Sequence, residues 1–341
     1  MKKQLLAAGL CALLLFAAGG CGGNPSGSSS KAAVSANQQT GYPVTIKNFD
    51  SQGNPVETTY EKPPKRIVAL WQNSIETLLQ LGAEDQIIAA AGIDDPIHLT
   101  EEDRAKYEKL PLHERHVFSQ EQTLSMHPDF ILAWRFDFSG RANSIGTYSF
   151  WKERHVPVYM TMMDGADFLE KHRVEDELQY ISDVGSIVGK KEKAAEITGR
   201  ILAKLQKGEN LKKQPHQKVL IVSSLQKGIH IYTPRTLPGD IVTRLGGDVI
   251  GKNLENVGHD EIISMESVIT ENPDVIFVQS TPEQDEMRIA DVYNTPALAG
   301  ISAVQNKRVY AIPFYTIRCP AVRVEDAIDL FTRGLYPEDK A

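Results

Sequence analysis

The sequence predicts an α/β protein built as two lobes of parallel sheet joined by a single long helix. Three observations carry that reading. Short apolar runs alternate with helix-period segments from Arg66 to about residue 165, and a second alternation runs from Val219 to Ile312. Between them, Ala194, Ile197, Ile201 and Leu205 fall on one face of an amphipathic stretch whose other positions are rich in Lys and Glu. Alternation of this kind buries parallel strands under helices on both faces.

At the start of the chain, Lys2 and Lys3 precede an apolar run from Leu5 to Ala18, and Ala18, Gly19 and Gly20 lead into Cys21, the pattern of a secretion signal too short to span a bilayer as an anchor helix. A small-small-Cys ending is similar to the lipobox of bacterial lipoproteins, which makes Cys21 the expected lipidation site. Cys11 is then removed, Cys319 is the only free thiol, and no internal disulfide forms. The Gly-, Ser-, Asn- and Gln-rich segment after Cys21 reads as a flexible tether. Pro43 to Thr59 reads as a β-hairpin turning at Gly53 and Asn54. The strands of the first lobe are Arg66–Leu70, Ile87–Ala91, Phe130–Trp134 and Val156–Met160, with a helix after the first that stops at Gly82. The second lobe has strands at Val219–Ser223, Val275–Val278 and Val309–Ile312 and a helix from Leu237 to Leu245 closed by Gly246 and Gly247. "HPDFILAW" from His127 and "NPDVIFVQ" from Asn272 each set Pro-Asp before a buried strand, and ligands of open α/β sheets bind at the carboxyl ends of such strands.

Composition excludes several classes of function. The 341 residues carry a net charge of −7 with no long basic run, so nucleic acid is not an expected partner. There is no G-x-S-x-G elbow, no G-x-G-x-x-G after a strand, no C-x-x-C and no H-E-x-x-H. The segment GSIVGKK from Gly185 lacks the Ser/Thr of a P-loop and lies within helical periodicity. His98, His113 and His116 read as polar loop residues rather than metal ligands, and Glu101–Asp103 as an acidic first helical turn.

Nine further motifs occur in a telling order: PPKRIVAL from Pro63, NSIETLLQLGAEDQIIAAAG from Asn73, LSMHPDFILAW from Leu124, HVPVYM from His155, YISDVGSIVGKKEKAAEI from Tyr180, DIVTRLGG from Asp240, ITENPDVIFV from Ile269, AVQNKRVYAIP from Ala303 and GLYPE from Gly334. On these the chain resembles the class III substrate-binding lipoproteins of bacterial ABC importers, which capture ferric siderophores, cobalamin and haem. The resemblance implies two Rossmann-like lobes and a ligand cleft between them. The expected divisions are a signal peptide at 1–20, a tether at 21–41, an N-terminal lobe at 42–189, a connector helix at 190–212 and a C-terminal lobe at 213–341. It also implies a non-enzymatic, monomeric receptor without a cofactor, lipid-anchored on the extracytoplasmic side of a membrane. Its partners would be a ferric siderophore or similar metal chelate, an ABC permease and the ATPase of that permease. In this family one acid on each lobe docks onto permease arginines, and by motif position these are Glu76 and Asp240.

Strand ends then supply the expected cleft: Trp71 and Gln72, Trp134 and Arg135, Met162 to Asp164, Tyr232 and Arg235, and Phe314, Tyr315 and Arg318. Such an aromatic and basic set suits a bulky anionic or oxygen-rich ligand such as a ferric catecholate or hydroxamate. A corrinoid or haem is the alternative ligand, with Tyr148, Tyr232, Tyr315, Met162 and His230 available as axial groups for haem. An enzyme that processes a metal chelate on the same frame, and a purely structural lipoprotein, are the rival classes.

Overall fold

The computed structural model describes residues 41–141, 144–161, 170–213, 215–254 and 261–338; the expected signal peptide, Cys21, its tether up to residue 40 and Met162 to Asp164 lie outside the described residues. The first elements are β1 (Val44–Phe49) and β2 (Pro55–Tyr60), an antiparallel hairpin at the expected place. Its turn is tied by the Asp50 carboxylate, which accepts from the backbone N–H groups of Gln52 and Asn54, and Gly53 supplies a φ of 86°.

The first sheet contains β3 (Ile67–Leu70), β4 (Ile87–Ala91), β5 (His113–Glu114), β6 (Phe130–Trp134) and β7 (Val158–Thr161), all parallel, in the order β5-β4-β3-β6-β7. Its helices are α1 (Gln72–Gln80), α2 (Glu101–Tyr107), α3 (Gln120–Ser125) and α4 (Tyr148–Glu153). The strand order reverses between β3 and β6, so the loops leaving their carboxyl ends part and open a crevice there. Alternation along β3 sends Ile67 and Ala69 into one core cluster and Val68 and Leu70 into another on the opposite face.

Between the two sheets in sequence come α5 (Val174–Ile187) and α6 (Lys191–Glu209), and α6 buries Ala194, Ile197, Ile201 and Leu205 as its periodicity predicts. The second sheet comprises β8 (Gln217–Ser224), β9 (Ile229–Ile231), β10 (Gly247–Val249), β11 (Glu261–Ile263), β12 (Val275–Ser280) and β13 (Val309–Pro313). Strands β10, β8, β12 and β13 run parallel, but β9 pairs antiparallel with β8 and β11 antiparallel with β9. The second sheet is therefore mixed, because Leu225 to Gly228 is far too short for a parallel crossover and long enough only for a hairpin. The remaining helices are α7 (Leu237–Arg244), α8 (Met265–Glu271), α9 (Asp285–Tyr293), α10 (Ser302–Gln305), α11 (Phe314–Ile317) and α12 (Val324–Leu335).

Both sheets share one apolar core. It runs from Tyr60 and Ile75 through Ile181, Ile197 and Ile201 to Ile221, Phe277 and Phe331, and so crosses α5, α6 and α12 without a break. Residues 40–341 accordingly pack as one unit. Ion pairs Arg200–Glu325 (2.8 Å) and Lys204–Asp329 (2.6 Å) add α6-to-α12 contacts on the rim.

Candidate functional site

The site begins at the strand ends that the topology parts. Trp71 follows β3 and caps α1, and it holds φ 73° and ψ 154°, a backbone region that residues with a Cβ seldom occupy. Two hydrogen bonds impose it: the Trp71 N–H donates to the Ala91 carbonyl at 2.8 Å, extending the pairing with β4, while its carbonyl accepts the Ile75 N–H at 3.1 Å, opening α1. The indole is thereby thrown toward the end of β6. There it stacks on Trp134, with ring centroids 5.1 Å apart and planes 28° from parallel, and Phe136 packs against both rings. The Trp71 Nε1–H donates to Asp137 Oδ2 at 2.7 Å and the Trp134 Nε1–H donates to Asn73 Oδ1 at 2.7 Å.

The opposite wall comes from the end of β13, where α11 and the residues after it present Phe314, Tyr315, Arg318 and Cys319. Tyr315 stacks on His98 at 5.5 Å, a contact between the two sheets' loops, and burial pushes its hydroxyl pKa up, which keeps it a neutral phenol. These walls enclose a cavity of about 470 Å³, also lined by Gln72, Asn73, Asp94 and His98. Among the described residues its charged lining consists of one cation, Arg318, and one carboxylate, Asp94, which is itself bound by Arg115. The described lining is thus mainly aromatic and close to neutral.

Beneath the cavity the two halves are bolted together. Glu76 Oε1 meets Arg323 Nη1 at 2.8 Å, Gln72 Nε2 donates to Glu76 Oε2 at 3.1 Å, and Arg323 also donates to the His98 carbonyl at 3.2 Å. Burial pushes the Glu76 carboxyl up to about 7 against the downward pull of Arg323. His98 Nε2 bridges to Glu283 Oε1 at 2.8 Å.

Of the residues expected on the cleft, the structure brings together Trp71, Gln72, Trp134, Phe314, Tyr315 and Arg318. Three lie elsewhere. Tyr232 is 2% exposed in the shared core, with its hydroxyl donated to Gln279 Oε1, because it extends the pairing of β9 with β8 instead of facing the cleft. Arg235 is exposed at the start of the α7 turn, where its carbonyl accepts the His172 N–H at 2.8 Å. Arg135 points past Phe136 into a separate recess of about 510 Å³ shared with Asp50, Arg141 and Tyr148, and its Nη1 reaches the Ser51 carbonyl at 3.4 Å.

The two expected docking acids are corrected outright. Glu76 is fully buried under Arg323, and Asp240 is 4% exposed, its carboxylate held by Lys171 at 2.6 Å and by the Val174 N–H at the start of α5 at 3.2 Å. Both are internal fasteners, so neither presents a charge to a partner surface. Sequence reasoning missed Asn73, Asp94, His98, Phe136, Asp137 and Arg323. Phe136 and Asp137 directly follow two expected residues, whereas the remote pairing of His98 and Arg323 with this site left no local signal.

Residues 67–316 match the family described as "Periplasmic binding protein". The chain is 24% identical over 350 residues, covering 99% of each, to YvrC of Bacillus subtilis (strain 168), an uncharacterized ABC transporter substrate-binding lipoprotein. Among solved structures, a periplasmic binding protein from Veillonella parvula DSM 2008 superposes with a TM-score of 0.77 at 33% identity, covering 87% of this chain and 92% of that one. An ABC-type Fe3+-hydroxamate transport system protein from Saccharomonospora viridis DSM 43017 shares the fold at a TM-score of 0.67 and 17% identity, covering 86% and 99% respectively.

Proposed function

Since the chain belongs to the periplasmic binding protein family, we propose that it is the substrate-binding lipoprotein of an ABC importer, taking an iron chelate of low net charge in the cavity between its sheets. The observation that carries the ligand class is the pairing of an aromatic wall, Trp71–Trp134–Phe136, with a facing wall whose charged group is Arg318. A ferric chelate with three hydroxamates has a neutral core, whereas three catecholates leave it trianionic. Burying three negative charges against one guanidinium is costly, so the hydroxamate type fits better than the catecholate type. Arg318 donates charge-assisted hydrogen bonds to a chelate oxygen, and the indoles cover its flat apolar faces.

The reading extends to the rest of the chain. Residues 1–20 direct export, Cys21 carries the lipid, 21–41 tether the body, and α6 connects a lobe of 42–189 to one of 213–341. The receptor acts as a monomer, returns its ligand unchanged, and hands it to a permease driven by its ATPase. A second reading, a corrinoid or haem ligand, is favoured by the stacked indoles opposite His98 and Tyr315, which suit a flat macrocycle.

Tryptophan fluorescence tests it directly, because two of the three tryptophans line the cavity and Trp151 is buried in the core. The full chain is titrated with ferric hydroxamates, ferric catecholates, cobalamin and haemin, each with its metal-free chelator. Saturable quenching by a ferric hydroxamate, with the chelate recovered intact, supports the proposal. Binding confined to cobalamin or haemin transfers it to the second reading, chemical conversion of the chelate favours an enzyme, and silence throughout removes the ligand claim.

A further inference from the structure

Asp137 ties the Trp71 indole to the backbone of Trp134 beside the aromatic wall. It is 3% exposed, and one of its oxygens, Oδ2, accepts both the Trp71 Nε1–H at 2.7 Å and the Trp134 backbone N–H at 2.9 Å. The carboxylate thus joins the loop leaving β3 to the loop leaving β6 across the crevice where the strand order reverses. Its own backbone is pinned, since its carbonyl accepts the Ile145 N–H at 3.1 Å. A third restraint acts on the same indole: a Cβ on Gly92 would come within 3.0 Å of Trp71 Cε3, so the chain at the end of β4 presses against that ring.

An indole on an exposed loop normally has two free side-chain torsions, and fixing them during binding costs affinity. Here the torsions are fixed in advance by a carboxylate, a glycine and the neighbouring ring, on a backbone already held in a strained conformation. We propose that Asp137 is a positioning residue that pre-forms Trp71 and Trp134 as one rigid stacking platform, and that this platform selects ligands with a flat conjugated or apolar face. Asp137 itself touches no ligand and acts through the Trp71 ring. The ligand half of the inference rests on the receptor reading above; the positioning half does not.

The test compares Asp137→Ala with Asp137→Asn in the full chain. Stacked indoles give an exciton couplet in circular dichroism, and Trp71→Phe marks its complete loss. An asparagine oxygen still accepts both N–H groups, so Asp137→Asn keeps the couplet. Asp137→Ala loses it to the level of Trp71→Phe and weakens whichever of ferrioxamine B, cyanocobalamin or haemin saturates the unsubstituted chain by about tenfold. A purely structural role would lower the melting temperature in both variants without separating them by couplet. A couplet that survives in Asp137→Ala, or that vanishes equally in Asp137→Asn, overturns the proposal. Should Asp137→Ala fail to fold, the bond is read in the unsubstituted chain by 1H–15N NMR. Slow solvent exchange of the Trp71 indole N–H is expected, and exchange as fast as free indole overturns the proposal. If none of the three probes binds, the ligand reading fails while the couplet still decides the positioning role.

Discussion

Glu76 and Arg323 meet at 2.8 Å with the carboxylate fully buried, tying the helix that leaves the first sheet to the turn that precedes the last helix of the chain. The pair sits directly under the cavity proposed to take the ligand, through Gln72 on one side and the His98 carbonyl on the other. Two sheets joined this way, and through one continuous core, have little freedom to hinge.

Removing one partner strands the other. Arg323→Ala is expected to cost about 3 to 5 kcal/mol, because it leaves a buried carboxyl without its cation. The double substitution Glu76→Met with Arg323→Leu should recover most of that loss, since well-packed apolar groups replace a buried pair at little net cost. Urea denaturation of the three chains measures both effects.

The same carboxyl makes stability depend on pH. Burial raises its folded-state pKa from the ordinary 4.5 to about 7, so between those values the unfolded chain binds fewer protons than the folded one. The contribution of this group is fully present below pH 4.5 and is lost as pH rises to about 7, by at most about 3 kcal/mol. Glu76→Gln lacks this slope, and the difference between the two stability-against-pH curves isolates it.

Trp71 serves the site at a backbone cost. Trp71→Gly and Trp71→Ala both lose the stacking platform and weaken ligand-induced quenching, which is left to Trp134 as the one remaining cavity tryptophan among the described residues. Glycine accepts φ 73° and ψ 154° without strain, so Trp71→Gly should be the more stable by about 1 kcal/mol, opposite to the usual ranking of these two residues. Thermal melts of the pair decide the sign.

Helix propensity and packing disagree at Gly185. Alanine is the better helix former inside α5, yet a Cβ there would lie 2.4 Å from Ala194 Cβ on α6. Neither atom belongs to a flexible chain, so packing wins, and Gly185→Ala is expected to destabilise the protein by about 1 to 3 kcal/mol. A rise in the melting temperature would show that α5 and α6 can move apart.

The parts of the site that were legible in the sequence were those attached to a strand end. Trp71, Gln72, Trp134, Phe314, Tyr315 and Arg318 each come after a short apolar run, and a doubly wound sheet exposes the residues just past the carboxyl ends of its strands. Arg135 and Tyr232 obeyed the same rule and still missed the cavity. One is turned past Phe136, and the other follows the second strand of an antiparallel hairpin at a place where no strand was expected. The acids on α1 and α7 were expected at the surface because the family resemblance, by motif position, made them docking residues. Only the neighbouring elements reveal Arg323 above one and the start of α5 on the other.

The sequence by itself therefore determined the α/β class, the long helix between two alternations and the aromatic character of the cleft. Those properties arise from local periodicity and from the identity of the residues that succeed a buried strand. The tertiary structure alone decided the near-neutral lining that the described residues give the cavity, the burial of Glu76 and Asp240 and the bonds of Asp137 to the Trp71 indole and the Trp134 backbone. These depend on contacts between residues as many as 247 positions apart, which hydrophobic patterning along the chain does not encode.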